Sequence, residues 1–391
     1  MHILLLTTSF PLRPGASSGV FVERLAQRLG RQCHLHVLAP SAQDPLILAQ
    51  DRSYSLSTFS YAPAKWRILA QGGGGIPAAL SAHPWLWLLV PVLIVSMGIN
   101  CFWQARRADL IFANWSICGV VAGVVGRLWG RPVVTTLRGG DANRVDSSFI
   151  HRFLIGLCLR LGGCVVAVSD DIAHRMKDLF PAMAEKVVMI PNGVDPAPTR
   201  NESGDDVENG IVRLVMVGSL VRGKSVQTAL HALAHLPEEF LLTVVGDGPE
   251  KEALIALVAN LGIGERVRFI GRVPPEQVPG WLAKADVLVM TSRSEGRPNA
   301  VLEAMAAGLP VVGSDIPGIR ELVTSEVNGM LFPVGDCNAL VACLLPFRDR
   351  TLRLRLGEAS RRSIVERGLT WENTAALYMR QFERLLAGRK Y

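Results

Sequence analysis

Charge is scarce in this chain. Only 19% of its 391 residues are Asp, Glu, Lys or Arg, against about 25% in an ordinary soluble domain. Hydrophobic residues make up 49%, and mean hydropathy is +0.28. That balance excludes wholesale disorder and leaves room for membrane contact. Paired cysteines are lacking as well. Cys33, Cys101, Cys118, Cys158, Cys164, Cys337 and Cys343 are scattered, with no CxxC, and most stand in apolar strings. This excludes a disulfide framework and reads as reduced thiols in a cytosolic protein. No Asp-x-Asp triplet occurs and no His/Cys cluster has ligand spacing, so a bound metal is not expected. His34/His36 and His231/His235 read as structural. No RNA- or DNA-binding motif is present, and no short-period repeat. The opening MHILLLTTSFPL lacks the basic region of a signal peptide and reads instead as a buried first strand.

What charge there is lies unevenly. Residues 1–200 hold 19 Lys and Arg against 11 Asp and Glu, whereas residues 201–391 hold 22 against 23. A basic first half suits an anionic partner or is simply a solvated basic face. One apolar run stands out in that half, PWLWLLVPVLIVSMGINCFW from Pro84 to Trp103. It has the length of a spanning helix, with Trp85, Trp87 and Trp103 near its ends and Arg106–Arg107 following. Pro91, Ser96 and Asn100 argue against a span. Three readings stay open: a span, a membrane-surface helix or hairpin, and a core helix, the second being preferred.

A single core rarely grows past roughly 250–300 residues, so two domains are expected. Strand-like runs alternate with helical spacing: Ile3–Thr7, Val20–Leu29 as a helix, His34–Ala39, Leu110–Ala113, Val133–Leu137 and Cys164–Val168. The stretch 196–210, PAPTRNESGDDVENG, is nearly devoid of apolar residues and reads as a linker. The rhythm restarts with Val212–Val217, Leu241–Val245, Val267–Ile270, Val287–Met290, Pro310–Val312 and Met330–Phe332. The expected fold class is α/β, two doubly wound Rossmann-like domains over 1–195 and 211–365 facing a central cleft, with 366–391 a C-terminal helix packing back on the first.

Four loops carry candidate chemistry. After the strand ending at Met290 comes SEGRPNAVLEAMAAG, with Glu295 in the loop and Glu303 one turn into a helix. The helix-start amides of Asn299, Ala300 and Val301 suit a phosphate. After Val217 comes GSLVRGKS, where Lys224 can meet a diphosphate as a point charge. Near the start, the small residues from Gly15 to Gly19 permit close backbone approach. After Val133–Leu137 comes Arg138-Gly139-Gly140-Asp141, with Asp141 placed to orient Arg138. Each of these taken singly also has a plain structural explanation.

Together they resemble a known family. The string from Glu295 to Glu303 resembles the E-x7-E motif of retaining GT-B glycosyltransferases. Matching stretches include Ile190–Asp195, Val245–Pro249, Phe269–Val273, Gly318 with Glu321–Val323, Asn328-Gly329 and Thr370–Asn373, so the resemblance covers nearly the whole chain. It implies transfer from a nucleotide sugar with retention at the anomeric carbon. By position, Glu295 would hold the donor sugar's hydroxyls and Glu303 the ribose hydroxyls. Asn299, Ala300 and Val301 would add backbone donors, and Arg272 and Val273 would lie in a loop beside the base. The loop of Gly15 and Gly19 would close over the diphosphate and line the acceptor site. Two positions depart from the pattern. Ser219 stands where an Arg is usual, with Arg222 as its stand-in, and Arg138 where relatives have His. The expectation is a retaining, metal-independent hexosyltransferase without cofactor. It would work at the cytoplasmic face of the inner membrane, touching it through 84–103, on a lipid-linked saccharide for surface polysaccharide or glycolipid synthesis. The alternatives are a catalytically weak binding or scaffold subunit, and a transferase with a soluble acceptor.

Overall fold

The computed structural model describes residues 1–13, 15–16, 18–43, 52–70, 75–146, 148–197 and 210–388. Contacts divide them into two units, Met1–Asn192 with the stretch from Trp371 onward, and Gly193–Thr370. Of the expected linker 196–210, residues 198–209 lie outside the described residues.

In the first unit the order is β1 (His2–Leu6), α1 (Val20–Leu29), β2 (His34–Pro40), β3 (Ser55–Phe59), α2 (Gly75–Ala82), α3 (Leu89–Ala105), β4 (Leu110–Asn114), α4 (Ser116–Leu128), β5 (Val133–Leu137), α5 (Gly139–Ala142), α6 (Phe149–Leu161), β6 (Cys164–Ala167), α7 (Asp170–Leu179) and β7 (Val187–Met189). The strands form one parallel sheet ordered β3-β2-β1-β4-β5-β6-β7. Its central strands β1, β4, β5 and β6 are almost wholly buried and mostly apolar because both faces are covered. Ile3 and Leu5 enter the core under α1, while Leu4 and Leu6 enter the core under α3 and α4.

The second unit runs β8 (Val212–Val217), α8 (Val226–His235), β9 (Phe240–Val245), α9 (Lys251–Asn260), β10 (Val267–Gly271), α10 (Val278–Leu282), β11 (Val287–Met290), α11 (Asn299–Ala306), β12 (Val311–Ser314), α12 (Pro317–Arg320), β13 (Gly329–Phe332), α13 (Cys337–Leu344) and α14 (Arg350–Glu366). Its parallel sheet is ordered β10-β9-β8-β11-β12-β13. The last helix, α15 (Trp371–Ala387), belongs to the first unit, where Trp371, Tyr378 and Phe382 are buried beside α1. All seven cysteines are free.

The Pro84–Trp103 run is neither all core nor all surface. Pro84–Leu88 makes 3-10 turns leading into α3. Leu93, Met97, Cys101 and Ala105, four residues apart, are buried against the sheet. Trp87, Leu88, Val92, Val95, Ile99 and Trp103 are exposed. Its polar residues have local explanations. Pro91 stands in the first turn, where an N–H has no helical partner anyway. The Ser96 hydroxyl donates to the Ser60 carbonyl at 2.8 Å, and the Asn100 amide to the Ser96 carbonyl at 2.8 Å.

Candidate active site

In an open parallel sheet, ligands bind outside the carboxyl ends of the strands where the strand order reverses. In the second unit that point lies between β8 and β11, and the loops carrying Lys224 and Glu295 leave those two strands. They meet: Lys224 Nζ lies 2.5 Å from Glu295 Oε1, with both side chains mostly covered. Two further bonds hold the loops together. The Thr291 hydroxyl donates to the Lys224 carbonyl at 2.9 Å, and Arg293 N–H to the Gly223 carbonyl at 2.9 Å.

Glycine lets a third loop in. Gly246, at the end of β9, has φ 152°, and a Cβ there would sit 1.8 Å from the Gly218 carbonyl oxygen. Its N–H donates to Gly271 at the end of β10. The ends of β8, β9 and β10 are thereby drawn into one backbone cradle, with Ser219, Arg222 and Arg272 exposed and Val273 half-buried on its rim. Gly318 likewise lets α12 approach the Glu295 carbonyl, and Arg297, joined to Glu321 at 3.2 Å, braces the same loop.

Glu303 sits on the fifth residue of α11, half-buried. The expected free amides at that helix start need one correction. Val301 N–H donates to the Pro298 carbonyl at 3.2 Å, because the first turn tightens onto its cap residue. Pro298 brings no side-chain cap, so the helix itself supplies no acceptor to the Ala300 N–H.

The first unit reverses between β1 and β4. Gly15 and Gly19 lie in the loop after β1 and have φ of 73° and 77°. A Cβ on Gly19 would come within 2.4 Å of the Ser9 carbonyl, so only glycine fits where this loop enters α1. Ser17 of that loop lies outside the described residues. Arg138 follows β5 and is buried, but Asp141 does not hold it. Its guanidinium donates to Asn192 Oδ1 at 2.9 Å and Asn114 Oδ1 at 3.1 Å, and lies 4.1 Å from the Phe21 ring centroid. Burial lowers its pKa to about 10, which leaves it cationic at neutral pH. Asp141 instead accepts from the Ser116 hydroxyl at 2.6 Å and from the Ser116 N–H, capping α4. Burial raises its pKa, with the Ser116 bonds pulling the other way. Arg138 Nε, Asn114 Nδ2 and Trp115 Nε1 are buried donors without a partner. Asn114 and Trp115 were not legible as site residues, because a lone Asn or aromatic at the end of a strand carries no motif; Asn192 stood in the Ile190–Asp195 stretch and Phe21 in α1, but nothing in the sequence paired either with Arg138. Among the described residues no group of three or more His, Cys, Asp or Glu could hold a metal ion.

The family profile "Glycosyl transferases group 1" matches residues 206–363, and "Glycosyltransferase Family 4" matches residues 18–198. N-acetyl-alpha-D-glucosaminyl L-malate synthase of Bacillus anthracis is 30% identical over 67% of this chain and 71% of its own length. The chain belongs to the family 4, group 1 glycosyltransferases. Another relative, the amylovoran biosynthesis glycosyltransferase AmsK of Erwinia amylovora, is 33% identical over 70% of this chain and 66% of its own. The two Rossmann-like sheets of the present chain are the GT-B fold. Sucrose-phosphate synthase of Thermosynechococcus elongatus superposes with a TM-score of 0.80 at 20% identity, covering 99% of this chain and 100% of that one. HepE of Anabaena, solved with UDP and glucose, superposes with a TM-score of 0.76 at 21% identity, covering 98% and 100%.

Proposed function

We propose that this glycosyltransferase moves a sugar, with retention, from a nucleoside-diphosphate hexose to a hydroxyl of a lipid-linked saccharide. It does so at the cytoplasmic face of the inner membrane, in surface polysaccharide or glycolipid synthesis. The observation that carries the donor half is the Lys224–Glu295 contact at the β8/β11 reversal, beside the Gly218–Gly246 cradle. A cation, a carboxylate and close-set backbone are what a sugar diphosphate requires: charge for the phosphates, an acceptor for sugar hydroxyls, and room for the pyrophosphate to approach. The acceptor half draws on relatives named for amylovoran, lipopolysaccharide core and colanic acid synthesis, and on the half-exposed apolar helix α3.

In this reading Lys224, with Arg222 nearby, stabilises the charge that grows on the departing diphosphate. The acceptor oxygen bonds to the anomeric carbon on the face that the phosphate leaves, and its proton passes to the leaving phosphate oxygen. Glu295 holds the sugar and Glu303 the ribose, all within the second unit.

Titration calorimetry with UDP and GDP, followed by a donor-hydrolysis assay, tests it. Glu303→Ala should weaken donor binding by about 1.5–3 kcal/mol for each charged hydrogen bond lost. Unchanged affinity would remove Glu303 from the site. Nucleotide binding without turnover on any membrane-extract acceptor would favour a scaffold subunit.

A further inference from the structure

The helix layer of the first unit carries a second exposed apolar feature. α6 opens with Phe149, Ile150 and Phe153, which are 82%, 67% and 53% exposed. The two phenylalanine rings stack with centroids 6.3 Å apart. The core does not use them, because Ile155, Cys158 and Leu159 make the buried side of α6. α6 packs beside α4, where Gly123 leaves room for Leu161 and Arg127 donates to the Arg160 carbonyl at 2.6 Å. α4 packs beside α3, Gly98 facing Val121. The outward side of this layer therefore runs from Trp87 in the turns before α3 and Val95 and Ile99 on α3, over Val124 and Leu128 on α4, to the aromatic turn of α6.

Carboxylates are missing from the same layer. α3, α4 and α6 contain no Asp or Glu. From Arg52 to Gly140 the only acid is Asp109, against eight Lys and Arg, and its carboxylate accepts from the His2 N–H at 2.8 Å. α6 adds Arg152 and Arg160, both exposed. Acid returns at the margins: Asp146, three residues before Phe149, is exposed and paired with Arg175, and α7, packed against α6's core, carries Asp170, Asp171 and Asp178, so the acid-free zone ends there. An apolar surface edged by arginine and free of acid is complementary to an anionic bilayer. A second copy of this chain would set arginine against arginine.

We propose that the outward side of α3, α4 and α6 is one monotopic face. In it the Phe149–Phe153 turn and the exposed edge of α3 enter the headgroup region of an anionic phospholipid bilayer together. This deepens the membrane reading above and rests on the transfer reading only for the acceptor. α6 follows the loop of Arg138 and Asp141 at the carboxyl end of β5, so a hydroxyl presented at the bilayer surface is brought to that loop.

Flotation of the full chain with phosphatidylcholine vesicles, with and without phosphatidylglycerol, decides it. Binding should require the anionic lipid and be released by salt. Phe149→Ser with Phe153→Ser should lower partition by about tenfold or more, as should Trp87→Ser with Val95→Ser. Val365→Ser, an equally exposed apolar position in the second unit, should change nothing. All five positions are exposed, so melting temperatures should stay put and confirm intact folds. Failure to float on anionic vesicles at low salt overturns the proposal, as does unaltered flotation of the phenylalanine double variant. A dimer that the same substitutions dissolve would assign the face to a second copy and overturn it too. Nucleotide binding on the same samples reports on the transfer reading alone, so the two can fail separately.

Discussion

At the scale of single residues, the Lys224–Glu295 contact sets two proposed roles against each other. The lysine offered to the diphosphate is in contact with the acid offered to the sugar. A partly covered pair of this kind is worth on the order of 1 kcal/mol, which the nucleotide must displace. Glu295→Gln should therefore tighten UDP binding by about fivefold while turnover falls, since a neutral amide no longer competes for the lysine and holds the sugar less firmly. Calorimetry with UDP alone, beside a transfer assay, checks both signs, and weaker UDP binding would sink the idea. Gly246 makes a harsher case. Its φ of 152° and the 1.8 Å approach of a Cβ to Gly218 leave no room for even a methyl group. Gly246→Ala should cost about 2–4 kcal/mol in urea unfolding and abolish nucleotide binding with it.

At the scale of elements, Asp141 shows how a site residue can belong to the fold. Its carboxylate caps α4 through Ser116, and burial raises its pKa. A raised folded pKa means stability that is present below the ordinary carboxylate value and drains away as pH rises through the folded value. Asp141→Asn keeps an acceptor for Ser116 and removes the buried charge. It should be as stable as wild type or more so at neutral pH, with a flatter stability profile from about pH 4 upward. Asp141→Ala strands the Ser116 donors and should lose about 1–3 kcal/mol. Urea unfolding across pH separates the three proteins. The sequence offered helical spacing after Leu110–Ala113 but not the cap of α4, because the capping acid lies 25 residues downstream of Ser116. Strands followed the same logic. The first unit's inner strands, mostly apolar, were legible to within a residue or two, whereas β3 and β7 were not. Those two are the sheet's edges, and SLSTF and VVM lack the long apolar run that burial on both faces imposes. The Pro84–Trp103 helix was legible in length and position, but its division into a buried and an exposed face depends on which sheet it meets.

At the scale of the whole molecule, chain order and unit membership disagree, and that disagreement predicts what can be cut. The second unit is a closed insert. Its ends meet where Val194 N–H donates to the Leu369 carbonyl at 3.0 Å and Val194 bridges Thr370. Its cores draw only on residues between those ends. A fragment spanning Gly193–Thr370 should thus unfold cooperatively and keep its affinity for UDP or GDP, because the β8, β9 and β11 loops all lie within it. The first unit has no such independence. Trp371, Tyr378 and Phe382 of α15 fill the core over β1 and β4, the Tyr378 and Thr136 hydroxyls share a 2.8 Å hydrogen bond, and Thr374 bonds the Pro191 carbonyl at 3.0 Å. Removing one buried large aromatic costs about 3–5 kcal/mol, and a domain's whole stability is about 5–15 kcal/mol. A chain of residues 1–192 loses three such side chains at once and should not fold. The same chain with residues 371–391 fused after a short linker should recover a cooperative melt. If residues 1–192 alone melt as cooperatively as the fused form, α15 is dispensable and this account of the first unit's core is wrong.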